Sequence, residues 1–157
     1  MMNKNPLIAL SLSVFIAACG GGGEAPTVPT AEPAGESMKD IGDHAVHFSA
    51  QLTDELSPEI ARAYNIVRSR NRAMLTISVV RDADNASVPA NVTVKTVNLT
   101  GQLKNVAMRE IDEQDAVYYV GETPVANRET LIFDITVTPE GAAGSSEVRF
   151  KREFYTD

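Results

Sequence analysis

Arg68, Arg70 and Arg72 stand at every second position of the chain, with Arg62 a few residues upstream. Guanidinium groups are permanently charged, planar donor forks suited to carboxylates and phosphates. On a strand starting near Val67 the three would share one face with Met74 and Thr76, about 6.5–7 Å apart. That row, joined by Arg62 from a short helix, is the candidate binding face for an acidic segment of a periplasmic protein or an anionic small ligand. The competing expectation is that each arginine meets one of the chain's 21 acids. The only histidines, His44 and His47, lie an odd number of residues apart, so on a strand they face opposite sides and share no metal. Carboxylates gather at Asp82 with Asp84, and at Asp112, Glu113 and Asp115. They lack the glycine and terminal glutamate of an EF-hand and read as solvated turns. No serine elbow, phosphate loop or dinucleotide fingerprint occurs. The expectation is therefore no catalytic residue, no metal and no cofactor. A pocket joining His47, Tyr64 and two carboxylates would point to an enzyme instead.

The single cysteine carries a different chemistry. Cys19 follows Ile16-Ala17-Ala18, at the end of an apolar run over residues 7–18 that begins behind Lys4. A basic start, a short apolar centre and small residues at the cut describe a secretory signal. The run is shorter than the roughly 20 apolar residues of a membrane span. The arrangement resembles a bacterial lipoprotein box, which implies cleavage before Cys19 and lipidation of its sulfur and new amino group. Two or more acyl chains give stable anchoring where one gives reversible binding, at about 0.8 kcal/mol per buried methylene. Glycines follow Cys19, where an aspartate would favour inner-membrane retention in Gram-negative lipoproteins. By that analogy the protein is held at the periplasmic face of the outer membrane.

The formal charge of the 157 residues is −7, and losing residues 1–18 makes the chain more acidic still. That charge argues against nucleic-acid binding. With Cys19 lipidated no thiol remains, so neither a disulfide nor a thiolate metal site is available. The core alone must hold the fold.

These chemical groups need elements to position them. Residues 19–40 combine the lipidated cysteine with a tether, four glycines first and then Pro26, Pro29 and Pro33, reaching about 25 Å as a coil. Residues 41–157 suffice for a single domain. Period-two alternation predicts strands over residues 46–52, 73–79, 92–96, 103–111, 116–122, 131–137 and 148–154. Between the first two, Ser57-Pro58-Glu59 supplies an N-cap, a proline at the first helical position and an acid in the first turn, so a short helix runs to near Asn65. Tyr118 and Tyr119 face opposite ways. Seven short strands and one brief helix predict an all-β fold, an antiparallel two-sheet β-sandwich of immunoglobulin-like architecture.

Several blocks together carry a family resemblance. They are Ala45-Val46-His47-Phe48, Leu56-Ser57-Pro58-Glu59-Ile60-Ala61-Arg62-Ala63-Tyr64, Asn71-Arg72-Ala73-Met74-Leu75, Ala116-Val117-Tyr118-Tyr119 and the closing Val148-Arg149-Phe150 with Phe154-Tyr155. From about residue 42 to residue 157 the chain resembles domain of unknown function 4426. The resemblance implies a small exported β-domain and transfers no catalytic or binding residue. The functional expectation is an envelope lipoprotein serving as a binding or accessory module. A hydrolase-like enzyme and a purely structural envelope lipoprotein are the alternatives.

Overall fold

The computed structural model describes residues 37–157. The expected signal, Cys19 and most of the expected tether lie outside the described residues. Among the described residues nine strands form two antiparallel sheets. They are β1 (Met38–Asp40), β2 (His44–Leu52), β3 (Arg72–Arg81), β4 (Ala90–Asn98), β5 (Leu103–Lys104), β6 (Arg109–Glu113), β7 (Ala116–Pro124), β8 (Glu129–Pro139) and β9 (Ser146–Phe154). The first sheet has the order β1-β2-β3-β7-β6 and the second β5-β4-β8-β9. The β-sandwich expected from the alternation is the fold observed.

The alternation also decides which side chains meet. Val46, Phe48, Ala50 and Leu52 of β2 and Leu75, Ile77 and Val79 of β3 face Leu131, Phe133, Ile135 and Val137 of β8 in one buried cluster. Phe150 of β9 links the layers. Its ring centroid lies 4.7 Å from that of Phe48 and 4.8 Å from that of Phe133.

Two expectations about strand extent are corrected. Met38–Asp40, inside the expected tether, pairs with His47, Val46 and Ala45 as an edge strand, so the sheet begins earlier than residue 41. The strand expected over residues 103–111 is two strands in different sheets. Leu103 and Lys104 pair with β4, whereas Arg109–Glu113 pairs with β7. The intervening residues close one side of the sandwich, where Val106 is buried.

The helix α1 (Pro58–Ala63) starts as its sequence dictates. Ser57 Oγ accepts from the Ile60 N–H at 3.2 Å, and Pro58 occupies the first turn. It stops because Asn65 adopts φ 52°, letting the Ile66 N–H reach the Ala61 carbonyl at 2.7 Å, a left-handed cap that satisfies the last carbonyls. Ala61 and Ile66 then pack with Leu56, Met74 and Val120, partly covered by Tyr64, Tyr118 and Ile111. The outer face of the first sheet is thus roofed by a second, smaller core. Tyr119 points into the main core and Tyr118 into this one.

Candidate functional site

The arginine row expected on β3 does not form. The strand starts at Arg72, and Arg68 and Arg70 lie in the connection ahead of it. That connection is fixed by Thr53, in the 3-10 turn Thr53–Glu55. Its hydroxyl accepts from the Ser69 N–H at 2.9 Å and lies 2.9 Å from the Val67 carbonyl and 3.0 Å from the Ser69 carbonyl, to which its single proton is offered. With Val67 to Ser69 tied to Thr53, their backbone has no strand neighbour. Arg68 donates to the Asp54 carbonyl at 2.5 Å, and Arg70 pairs with the Asp54 carboxylate at 3.6 Å. Arg72 pairs with Glu122 across β7 at 3.3 Å. Arg62 stays on its own helix, bonding the Pro58 carbonyl at 3.0 Å and approaching Glu59 at 3.6 Å. All four candidate residues are exposed. Their partners are local, and such exposed pairs contribute about 0–1 kcal/mol each.

The histidines separate as their spacing requires. His47 is exposed, whereas His44 is buried at the end of the inner face, its Nδ1 2.7 Å from the Asp43 carboxylate. The His44 hydrogen bond holds the Asp43 carboxyl below its ordinary value. Asp43, His44, Arg81 and Glu140 border an open cleft of about 240 Å³. Tyr64 is elsewhere. It docks α1 on the edge strand β6, its hydroxyl donating to Glu113 at 2.6 Å while its carbonyl accepts from Arg109. Strands β3 and β7 separate β2, which carries His47, from β6, so His47 and Tyr64 do not converge. Among the described residues no group of three or more His, Cys, Asp and Glu side chains is arranged to hold a metal ion.

A polar cluster that sequence reasoning missed closes the opposite end of the sandwich. Lys104 and Glu129 pair at 3.0 Å, and both are largely buried. Asn98 donates to Glu129 at 2.9 Å, as does the Ala126 N–H. Burial pushes the Glu129 carboxyl up, but the Asn98 amide, the Ala126 N–H and Lys104 together hold it below its ordinary value. The available signal was parity. Asn98, Lys104 and Glu129 sit in register with or two positions from core residues such as Thr96 and Leu131, and so project inward.

Charge is unevenly divided between the two ends. Asp43, Asp82, Asp84, Asp115 and Glu140 occupy the turns at the His44 end of the strands, next to the Asp112–Glu113 terminus of β6. Arg81 is the cation among these turns, pairing with Asp84 at 3.5 Å. The Leu52 end holds Arg68, Arg70, Arg72, Lys104, Arg128 and Arg152 together with Asp54, Glu55, Glu122, Glu129, Glu153 and Asp157, so its charges nearly balance.

Comparison with known proteins agrees with this architecture. A family model described as domain of unknown function (DUF4426) matches residues 38–157, from the first residue of β1 to Asp157. Among solved structures, the chain is similar to a DUF4426 family protein from Pseudomonas aeruginosa PAO1. The two are 28% identical over 78% of this chain and 96% of that one, with a TM-score of 0.68. A search of curated proteins finds no match. The family model spans the whole of the described sandwich and well over half of the sequence, and this chain belongs to the DUF4426 family.

Proposed function

We propose that this protein is a bacterial envelope lipoprotein, anchored through Cys19 at the periplasmic face of the outer membrane, and that its domain is a binding or accessory module. The observation that carries the reading is the placement of Cys19 directly after Ala17-Ala18 and behind an apolar run, with a glycine- and proline-rich segment separating it from a sandwich that begins at Met38. The glycines after Cys19 favour the outer membrane over the inner one.

The binding role is supported by the unequal faces of the sandwich. The helix covers the outer face of the first sheet. Among the described residues no helix packs on the second sheet, whose outward positions include Asn91, Thr93 and Lys95 of β4 and Thr136 and Thr138 of β8. An open sheet face with hydroxyl, amide and ammonium groups offers hydrogen bonds to a periplasmic protein or an anionic small ligand.

Cys19→Ser should abolish labelling by radioactive fatty acid and release the protein from the membrane fraction. Full membrane retention of the unlabelled variant would overturn the anchor. For the binding role, a photo-crosslinking residue at Thr93 in intact envelopes should give a discrete adduct, and its absence under every growth condition tested would count against this face.

A further inference from the structure

The direction in which the chain joins the sandwich is fixed by β1. Met38 is opposite His47, Asp40 is opposite Ala45, and the Phe48 N–H donates to the Ser37 carbonyl at 2.9 Å. The chain therefore enters β1 from the Leu52 side. Exposed apolar side chains gather at that same end. Leu103 is 79% exposed, Leu99 71% and Val67 68%, and Tyr155 follows directly after the end of β9. Leu103 is not isolated. It opposes Val97, Val97 opposes Ile132 and Ile132 opposes Lys151, a row across four strands on the outer face of the second sheet, which no helix among the described residues covers. Arg68, Arg128, Lys151 and Arg152 near this end make no ion pair among the described residues. Glu55, Glu153 and Asp157 share this end, which is therefore close to neutral, and the surplus of acids lies at the far end.

We propose that the Leu52 end is a membrane-docking surface, on which Leu99 and Leu103 enter the bilayer interface and Arg128, Lys151 and Arg152 meet anionic lipid phosphates. The proposal rests on the lipid-anchor reading and adds an orientation to it. Exposed leucines beside unpaired cations form the apolar-plus-basic combination that holds proteins at lipid interfaces. The domain's overall acidity does not prevent this. A nine-residue strand such as β2 is about 30 Å long. The Debye length is about 8 Å at physiological ionic strength. The acidic turns are therefore screened from a membrane touching the Leu52 end. An anchor within a few tens of residues of the domain also keeps it at an effective concentration on the order of millimolar at the membrane, so weak docking suffices. The acidic end and its cleft then face the periplasm.

The test uses the acylated protein in vesicles of phosphatidylethanolamine and phosphatidylglycerol. Cys19 is the only cysteine, so after acylation Leu103→Cys supplies the single reactive thiol, and Asp115→Cys supplies a control at the other end. A fluorophore at position 103 should be quenched by lipid-borne quenchers and shielded from aqueous iodide, with the reverse at position 115. In a Cys19→Ser background, reversing both Arg128 and Arg152 to Glu should weaken binding to the same vesicles by about fivefold or more per charge. Equal iodide access at positions 103 and 115 in the acylated protein would overturn the proposal. So would shielding of position 103 in native envelopes but not in pure lipid, which would assign the end to a protein partner. Intact mass separates the two readings. If Cys19 carries no acyl chains the anchor fails, and docking is then decided by whether the Cys19→Ser, Leu103→Cys protein binds anionic vesicles with the label buried.

Discussion

The phenol of Tyr119, on β7, accepts a hydrogen bond of 2.7 Å from the N–H of Ala90, the first residue of β4 in the opposite sheet. One side chain thus pins the two layers together beyond their apolar contact. Burial raises the Tyr119 pKa above its ordinary value, with the Ala90 N–H acting in the other direction and Glu110 adding to the rise. Tyr119→Phe keeps the ring in the core and strands the Ala90 N–H. A loss of about 1–2 kcal/mol is expected, the cost of an unsatisfied backbone donor. Urea unfolding of the parent and variant checks it, with an unchanged midpoint refuting the pin.

Thr53 does the same work for the connection between α1 and β3. It is fully buried, and its hydroxyl serves one N–H and two carbonyls of Val67 and Ser69. Thr53→Val preserves shape but removes the oxygen, so the variant should lose about 2–3 kcal/mol through orphaned backbone groups. Thr53→Ser should recover most of it. Proteolysis between Val67 and Arg70 should accelerate in Thr53→Val and not in Thr53→Ser. Equal cleavage of the two variants would place the restraint elsewhere.

Much of the sandwich was legible because a half-buried strand writes its core face at every second residue, as Leu131, Phe133, Ile135 and Val137 do. Three features were not. Met38-Lys39-Asp40 has one apolar residue and follows a proline- and glycine-rich stretch, so its pairing with β2 leaves no periodic trace. Leu103 to Ile111 reads as one strand because periodicity reports which face is buried and not which sheet supplies the neighbours. The even spacing of Arg68, Arg70 and Arg72 would place them on one face only if the backbone were a strand, and Thr53, many residues away in sequence, holds it otherwise. Met74 on the outward side of β3 was the visible sign that this face is covered, because an apolar residue there needs a roof.

Gly121 marks where the crossover between the sheets packs on β7. A Cβ placed there would lie 2.5 Å from Met108 Sδ, 2.6 Å from Val106 Cγ1 and 3.2 Å from the Ala107 carbonyl oxygen. The Met108 side chain can swing away, but buried Val106 cannot do so without moving backbone. Gly121→Ala should therefore destabilise by about 1–3 kcal/mol, the usual range for an overfilled core. Gly121→Ala combined with Val106→Ala should be less unstable than the sum of the two single changes, because the second makes room for the first. Strict additivity in denaturant melts would show that the two sites do not touch.

The last prediction concerns pH. The hydrogen bond to Glu113, assisted by burial and by that carboxylate's charge, pushes the Tyr64 pKa up to about 12. The protonated phenol is the form that donates to Glu113, so the native state holds its proton more tightly than the unfolded chain does. The resulting stabilisation is fully present below the ordinary tyrosine value of about 10 and is lost as pH rises through the folded value. Tyr64 is partly exposed, so water screens the interaction and the effect on the melting temperature is small. Tyr64→Phe removes the titrating group while keeping the ring over Ile66 and Met74. The gap in melting temperature between parent and variant should be constant below about pH 9 and shrink between about pH 10 and 12. A gap that widened with pH would mean that the ionised phenol is the stabilising form, reversing the assigned roles of Tyr64 and Glu113.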